Sequence, residues 1–462
     1  MEQLDALIAT MVGYVWSTPL VALLVGTGAL LTVLMGFPQI RGFAHAIKVI
    51  RGKYDDPNHP GEISHFQALA TALSATVGLG NIAGVAVAIK VGGPGATFWM
   101  IVCGLLGMAT KYSECSLAIM HRTVDPDGTI QGGPMHYIKH GLFSGNAKLQ
   151  KLVSNPLAFF FAFACMSATF GAGNMFQANQ LASILDEQFN VNKIFTGLAL
   201  AVLTGVVILG GIKRIGSVTS KLVPFMGSLY VLGALTVIFL NIEQVPAMFY
   251  SIFHDAFNGT AAAGGVTGIA VKEVLIQGVR RGCFSNEAGL GSAPIAHSAA
   301  STDEPIREGV VALLEPFIDT VVICTLTALG ILLSGAWTTE GLTGVNLTAA
   351  AFDSALPGFG KYFVPLAVTL FAYSTLLSWS YYGEKAVAFL SGGKGGKGFL
   401  TGYKLFYCVV AFVGANLNLG IVLNFSDMML GLMVIPNLAA VLFMIPKLRA
   451  ETKRYFDKYV RS

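Results

Sequence analysis

The sequence predicts an all-α polytopic membrane protein, an inverted five-helix repeat (5+5) preceded by one extra N-terminal helix. Three observations carry this expectation. Of 462 residues, 54% are hydrophobic and only 12% are charged, about half the charged share of a soluble domain. Apolar stretches long enough to cross a bilayer recur from end to end. Two of them are interrupted by the same Gly-Leu-Gly core, in Ser74-Ala75-Thr76-Val77-Gly78-Leu79-Gly80-Asn81 and in Asn286-Glu287-Ala288-Gly289-Leu290-Gly291-Ser292.

Each glycine inside a spanning helix costs ~1 kcal/mol against alanine, at a depth where no water takes over unpaired backbone groups. Both stretches therefore read as helices broken near their middle. A half-helix N-terminus offers amides that suit a carboxylate, and a half-helix C-terminus offers carbonyls that suit a small hard cation. At the first break Leu79, Gly80 and Asn81 stand where the amides are needed; Ser74, Ala75, Thr76 and Val77 stand where the carbonyls are. Two such breaks at matching places in two halves point to a substrate and ion site at the bilayer midplane.

Eleven spans are expected, centred on 14–36, 66–89, 95–120, 156–182, 193–212, 217–240, 272–299, 308–334, 361–390, 402–423 and 426–446. Alternate connections, with the C-terminal tail, hold 21 of the 29 Lys and Arg residues, among them Arg41, Lys48, Arg51, Lys53, Arg122, Lys213, Arg214, Lys394 and Arg461. Basic loops stay in the cytoplasm. With an odd count this places the N-terminus outside and the C-terminus inside.

Without the first span, the two broken segments are numbers one and six of ten, and five spans per repeat invert the second repeat. The expected division is 1–64 for the extra helix and a cytoplasmic loop, 65–240 for the first repeat, 241–270 for an extracytoplasmic connector, 271–446 for the second repeat and 447–462 for a basic tail. Loops 38–64 and 335–360 read as plain connectors with Gly, Pro and Asn. Glu243 to Phe257 has helical apolar spacing, consistent with an interfacial helix or lid or with a packed connector.

The net charge of +4 is small and scattered, which argues against nucleic acid as a partner. Six cysteines fall singly within apolar segments and read as packing residues. Glu2 and Asp5 precede the first apolar run and no Lys or Arg lies in the first sixteen residues, so that run is expected to be retained as a helix rather than removed as a signal peptide. There is no His-Glu-x-x-His, Gly-x-Ser-x-Gly or Walker loop. Neither an enzyme nor an ATP-driven pump is expected.

Charged residues within spans are functional candidates. Lys111 and Glu114, three apart on one helix, are expected to pair with each other. Arg280 and Arg281 lie close in sequence to Glu287, and Glu315 and Asp319 are four apart on one face.

The run Val77-Gly78-Leu79-Gly80-Asn81, followed by Gly92-Gly93-Pro94-Gly95, resembles the first helix of the neurotransmitter:sodium symporters. A resemblance to the alanine or glycine:cation symporter family, within the amino acid-polyamine-cation superfamily, covers nearly the whole chain. It rests on five blocks in order: Ala75 to Gly84, Gly93 to Met100, Gly128 to Tyr137 with its Gly132-Gly133-Pro134-Met135 core, Phe284 to Gly291, and Ser378 to Lys385. Ile101, where the family often has tryptophan, is a departure away from the expected site.

The resemblance implies a sodium-coupled symporter that imports small neutral amino acids, alanine or glycine, across the cytoplasmic (inner) membrane. Na+ would be co-transported, with no organic cofactor, and with membrane lipid rather than an obligate protein as partner. Carried over by position, Thr76, Gly78, Leu79, Gly80 and Asn81 would meet substrate, with Phe176, Gln177, Gln277, Thr375 and Trp379 around it. The carbonyls of Ser74 and Val77, with Ser374 and Thr375, would hold sodium. A proton-coupled transporter, a cation channel and a membrane-embedded enzyme are the alternatives; two non-identical breaks in one chain favour a carrier over a channel's repeated filter.

Overall fold

In the computed structural model, residues 2–56, 58–126, 128–259, 270–393 and 396–460 are described, with the side chains of residues 2–7 excluded. Lys394, Arg461, the side chains of Glu2 and Asp5, and residues 260–269 of the connector lie outside the described set. The described chain is almost wholly helical; its one sheet pairs Thr123–Val124 with Ile130–Gln131.

Six helices among the described residues are long and apolar enough to cross a membrane, or up to eight if each of two bent pairs is one span. The expected segments at 95–120 and 272–299 are helical too, as Gly95–Met120 and as Val271–Asn286 followed by Ala293–His297. Length and hydropathy alone pass over them, because Gly95–Met120 carries Lys111 and Glu114 in its interior and Val271–Asn286 is only 16 residues long before the break and carries Arg280 and Arg281. Large apolar side chains such as Phe163, Phe195 and Leu232 point outward, more than half exposed. On a membrane protein that surface faces lipid.

The first broken segment starts firmly. Ser64 accepts from the Gln67 amide (3.2 Å) while Gln67 Oε1 accepts from the Ser64 amide (3.1 Å), a reciprocal cap. The helix His65–Thr76 then stops, and a tight turn at Val77–Leu79 leads into a π-helical turn, Gly80–Gly84, and the helix Val85–Gly92, bent by 47° from the first half. The second segment runs Val271–Asn286 and stops at Glu287, whose φ of 58° is left-handed. Gly289 (φ 89°) and Gly291 (φ 81°) complete the break, since left-handed backbone costs any other residue ~1–2 kcal/mol.

Besides Gln150–Ser154 near the start of the span 147–189, two further π-helical turns, Gly171–Met175 and Phe317–Cys324, interrupt that span and the span 305–334. Such turns often mark functional positions, and both of these lie beside the breaks.

Several expectations need correction. Loop 38–64 contains the helix Phe43–Ile50, and 335–360 contains Gly344–Ala355, which packs on Phe359–Leu390 and over the first break. The stretch 402–423 is divided at Asn416–Asn418; the tail, expected only to be basic, forms the helix Ile445–Tyr459. The helix Val245–Asn258 packs against Gly95–Met120, with Phe98 and Trp99 edge-on to Phe257.

The charged pairs also differ. Lys111 Nζ reaches across to Glu315 Oε1 (3.1 Å) and not to Glu114, which accepts from Asn437. Arg280 and Arg281 both bind Asp427, not Glu287; Glu287 turns onto its own break, where Ser292 donates to it. Glu315 and Asp319 take different partners, Glu315 meeting Lys111 and Asp319 meeting Asn81 and Thr320.

Candidate functional site at the first helix break

At the turn Val77–Leu79 the helical ladder is replaced by side-chain partners. The Gly78 amide donates to Thr76 O and to Asn81 Oδ1, both at 2.8 Å. The Leu79 amide donates to Gln177 Oε1 (3.2 Å), and Gln177 is itself fixed by donating to Ala172 O (2.9 Å) in the adjacent π-helical turn. Among the described residues the Gly80 amide has no hydrogen-bond donor role and the Val77 carbonyl accepts nothing. Both groups face a fully buried interior.

On the carbonyl side, Ser74 O accepts from Thr375 Oγ1 (3.1 Å) and Ser374 Oγ (3.3 Å), and Ser74 Oγ donates to Ser374 O (2.7 Å). Three hydroxyls and two backbone carbonyls from two helices thus converge at the end of the first half-helix. An all-oxygen set of this kind suits a small hard cation.

The helix Phe359–Leu390 presents Trp379 one turn beyond Thr375 on the same face. Trp379 lies flat against Gly173, where even a Cβ would come within 2.2 Å of its ring, and edge-on to Tyr382. Phe176 stacks edge-on to Phe284 with centroids 5.2 Å apart, so aromatic rings from the two halves meet beside Gln177. Thr76 is buried there too, its hydroxyl returned to Ala72 O of its own helix.

Gln277 is not brought to this group. It donates to Glu273 (2.7 Å) and packs against Gly92, at the far end of the second half-helix. Position 277 precedes the second break by more than two turns, too far to share its unwound backbone.

The sequence reading missed what joins the two breaks. Asn81 Nδ2 donates to Asp319 Oδ1 (2.6 Å) and Asp319 O (3.0 Å); Thr320 Oγ1 donates to Asp319 Oδ2 (2.6 Å); Asn286 Nδ2 donates to Thr320 Oγ1 (2.9 Å). Asn286 Oδ1 then accepts from the Ala288 amide (2.9 Å) at the second break. An acidic residue deep in a span was the available signal, but its partner Asn81 lies 238 positions away.

Both ends of the site are closed. At one end Ile63 and Ala300 form a parallel bridge, and Arg122 donates to the carbonyls of Pro60, Ser298, Ala300 and Thr302. His65 and His297 share Glu308 between the two broken segments. At the other end the helix Gly344–Ala355 covers the first break, with Thr348 Oγ1 donating to Ile82 O (3.1 Å) and the Val345 amide to Gln180 Oε1 (3.2 Å).

Replacing Gln177 by Ala is expected to weaken the apparent affinity for a carboxylate ligand docked at the Leu79 amide about tenfold, the scale of one hydrogen bond at a buried site. Ligand-concentration curves measure it; an unchanged half-saturation would remove Gln177 from the site.

The sequence profile of the Sodium:alanine symporter family matches residues 1–461. The chain is 46% identical over 453 residues to the Sodium/alanine symporter AgcS of Methanococcus maripaludis, covering 97% of each chain. It is 36% identical to the Probable sodium/glutamine symporter GlnT of Bacillus subtilis, covering 94% of this chain and 86% of that one.

Among solved structures, MhsT in complex with L-phenylalanine superposes with a TM-score of 0.51 at 13% identity, covering 85% of this chain and 100% of that one. A Na+-coupled sialic acid symporter superposes with a TM-score of 0.52 at 11% identity, covering 96% and 88%. At these identities the two structures speak to the fold alone. The fold is that of a helical membrane transporter, and by profile and full-length identity this multi-pass chain belongs to the sodium:alanine symporter family, whose members couple amino-acid transport to sodium.

Proposed function

We propose that the protein imports small neutral amino acids, alanine and glycine, across the cytoplasmic membrane, driven by sodium entry. The observation that carries this reading is the Ser74 carbonyl held between the Thr375 and Ser374 hydroxyls, one turn from the amides at Leu79 and Gly80. A cation and a carboxylate docked there would neutralise each other in a water-free site. The ring pairs Phe176–Phe284 and Trp379–Tyr382 stand beside these groups, and a small substrate side chain would lie against them.

In this reading the eleven spans form two inverted five-helix repeats after one extra helix, with the N-terminus outside and the C-terminus in the cytoplasm. The Arg122 and Glu308 contacts then close the cytoplasmic side, and the Gly344–Ala355 helix lies on the outer side. Alternating access breaks one closure at a time. At a potential near 100 mV each entering charge supplies ~2.3 kcal/mol, roughly fiftyfold accumulation per ion. One sodium ion is enough for useful uptake.

The test is uptake of labelled alanine into proteoliposomes under an inward sodium gradient, against a potassium gradient with a superimposed proton gradient. Sodium-dependent uptake blocked by excess glycine but not by leucine is the expected result. Proton-driven uptake without sodium would overturn the coupling, and unsaturable flux without counterflow would indicate a channel. Thr375→Ala is expected to raise the half-saturating sodium concentration at least about tenfold, since it removes one of few ligands from a buried cation site. The same assay with sodium titrated at fixed alanine reads that shift, and an unchanged sodium dependence would exclude Thr375.

A further inference from the structure

We propose that the cavity between the end of the extra N-terminal helix and the C-terminal helix binds the phosphate headgroup of an anionic phospholipid, whose chains lie on the neighbouring apolar surface. This goes beyond the transport reading and holds whichever cation and substrate the protein carries.

The cavity, of about 200 Å3, lies where the span ending at Leu34 meets the helix Ile445–Tyr459. Its shape starts from a turn. Gly36 (φ 71°) and Phe37 (φ 56°) are both left-handed, a conformation that phenylalanine rarely takes. The turn leads into the short helix Pro38–Arg41, and Arg41 Nη1 donates back to Gly36 O (3.1 Å) while its guanidinium stacks over Phe456, 4.6 Å from the ring centroid. From the other side Arg449, Lys453 and Asp457 line the cavity, four residues apart along one edge of the C-terminal helix. The adjoining stripe of that helix is buried, with Thr452 bonded to Tyr112 (2.7 Å) and Tyr455 to His45 (2.8 Å). Both walls are therefore held in place by the protein's own contacts.

The other cations of the C-terminal helix have partners. Lys447 reaches His121, Arg454 meets Glu451 and Glu304, and Lys458 meets Glu304. Among the described residues Arg41, Arg449 and Lys453 form no ion pair. Three cations against the single carboxylate of Asp457 leave the cavity two positive charges in excess. Two planar guanidinium forks and an ammonium suit a phosphate, which accepts several charge-assisted hydrogen bonds at once.

The surroundings favour a lipid over a soluble phosphate. Leu34 lines the cavity; Leu30, one turn away on its face, is 44% exposed, and Phe37 and Ile40 of the turn are 49% and 77% exposed. These side chains carry the lipid-facing surface of the span up to the basic groups. A basic pocket at the end of a span, beside hydrocarbon, is the arrangement that takes an anionic headgroup.

The test is binding of radiolabelled phosphatidylglycerol to the full-length protein in neutral detergent, with phosphatidylcholine and glycerol 3-phosphate as competitors. Saturable binding that neither competitor displaces is the expected result. The double variant Arg449→Ala, Lys453→Ala is expected to bind about thirtyfold more weakly, about fivefold per cation. Lys213→Ala, Arg214→Ala removes the same charge from the start of the helix Gly211–Leu240 and is expected to bind as the wild type does. All four side chains are exposed, and thermal unfolding of the same preparations checks that both variants fold. It also gives a second readout: phosphatidylglycerol raises the midpoint of the wild type but not of the Arg449→Ala, Lys453→Ala variant.

Undiminished binding by the Arg449→Ala, Lys453→Ala variant would overturn the site. Equal weakening in both double variants would overturn it too, by showing attraction to basic surface in general. Displacement by glycerol 3-phosphate at the lipid's own concentration would replace the lipid with a soluble phosphate ester. Displacement by phosphatidylcholine would show that the headgroup charge is not read.

Discussion

Gly78→Ala is expected to reduce sodium-driven alanine uptake by at least about a hundredfold while leaving the protein folded. A Cβ at this position would sit 2.4 Å from Thr375 Oγ1 and 3.4 Å from Gln177 Oε1. The first distance is closer than real side chains approach, so the Thr375 hydroxyl must leave the Ser74 carbonyl it now meets at 3.1 Å. A displacement of about 1 Å at a binding centre costs on the order of a hundredfold in rate. The stability cost is small by comparison, because forcing one threonine off its rotamer takes ~1 kcal/mol.

Gly84 supplies the control, lying on the π-helical turn that follows, with only Leu79 O, at 3.9 Å, near its Cβ position. Gly84→Ala is therefore expected to transport normally. Initial rates of labelled alanine uptake, with thermal unfolding of the same preparations, separate the two effects. Equal rates for Gly78→Ala and the wild type would mean that Thr375 and the Gly78 backbone do not form one site.

What was legible in the sequence is what local spacing encodes. Glycine pairs inside apolar runs located both breaks, and the position of Thr375 and Ser374 on a later span, taken with the family resemblance, marked the residues that meet Ser74. What was not legible depends on partners far apart in the chain. Lys111 and Glu114 satisfy a helical spacing rule, yet the buried lysine gains more from the facing Glu315, 204 positions away. The π-helical turn at Phe317–Cys324 is silent in composition, and Asp319 within it meets Asn81 of the first broken segment, 238 positions away. The helix Gly344–Ala355 hid for another reason. Its apolar face is only three turns long, and the glycines at 341 and 344 read as a loop until Gln180 and Thr348 are seen to anchor it over the break.

Asp427→Ala is expected to be the most destabilising single substitution within the spans, at about 3–5 kcal/mol. Asp427 receives two bonds from Arg281, Nη1 to Oδ1 at 3.1 Å and Nη2 to Oδ2 at 2.6 Å, and a further one from Arg280. Its backbone carbonyl accepts from Trp16 Nε1 (2.8 Å), tying the first helix to the same point. Two guanidinium groups share one carboxylate, so its removal leaves two like charges in contact with no counter-ion.

Arg281 cannot swing out to water, being 3% exposed and stacked over Phe284. The damage therefore extends along Phe284 to Phe176 and the Gln177 position, and transport is expected to fall with stability. Thermal unfolding in detergent measures the first effect. The decisive comparison adds Arg280→Met and Arg281→Met to Asp427→Ala, because removing a whole buried ion cluster is often neutral while removing one partner is not. Recovery of most of the lost stability in the triple variant would identify stranded charge as the cause. A single variant as stable as the wild type would mean that water reaches the two arginines, and that this cluster does not brace the second broken segment.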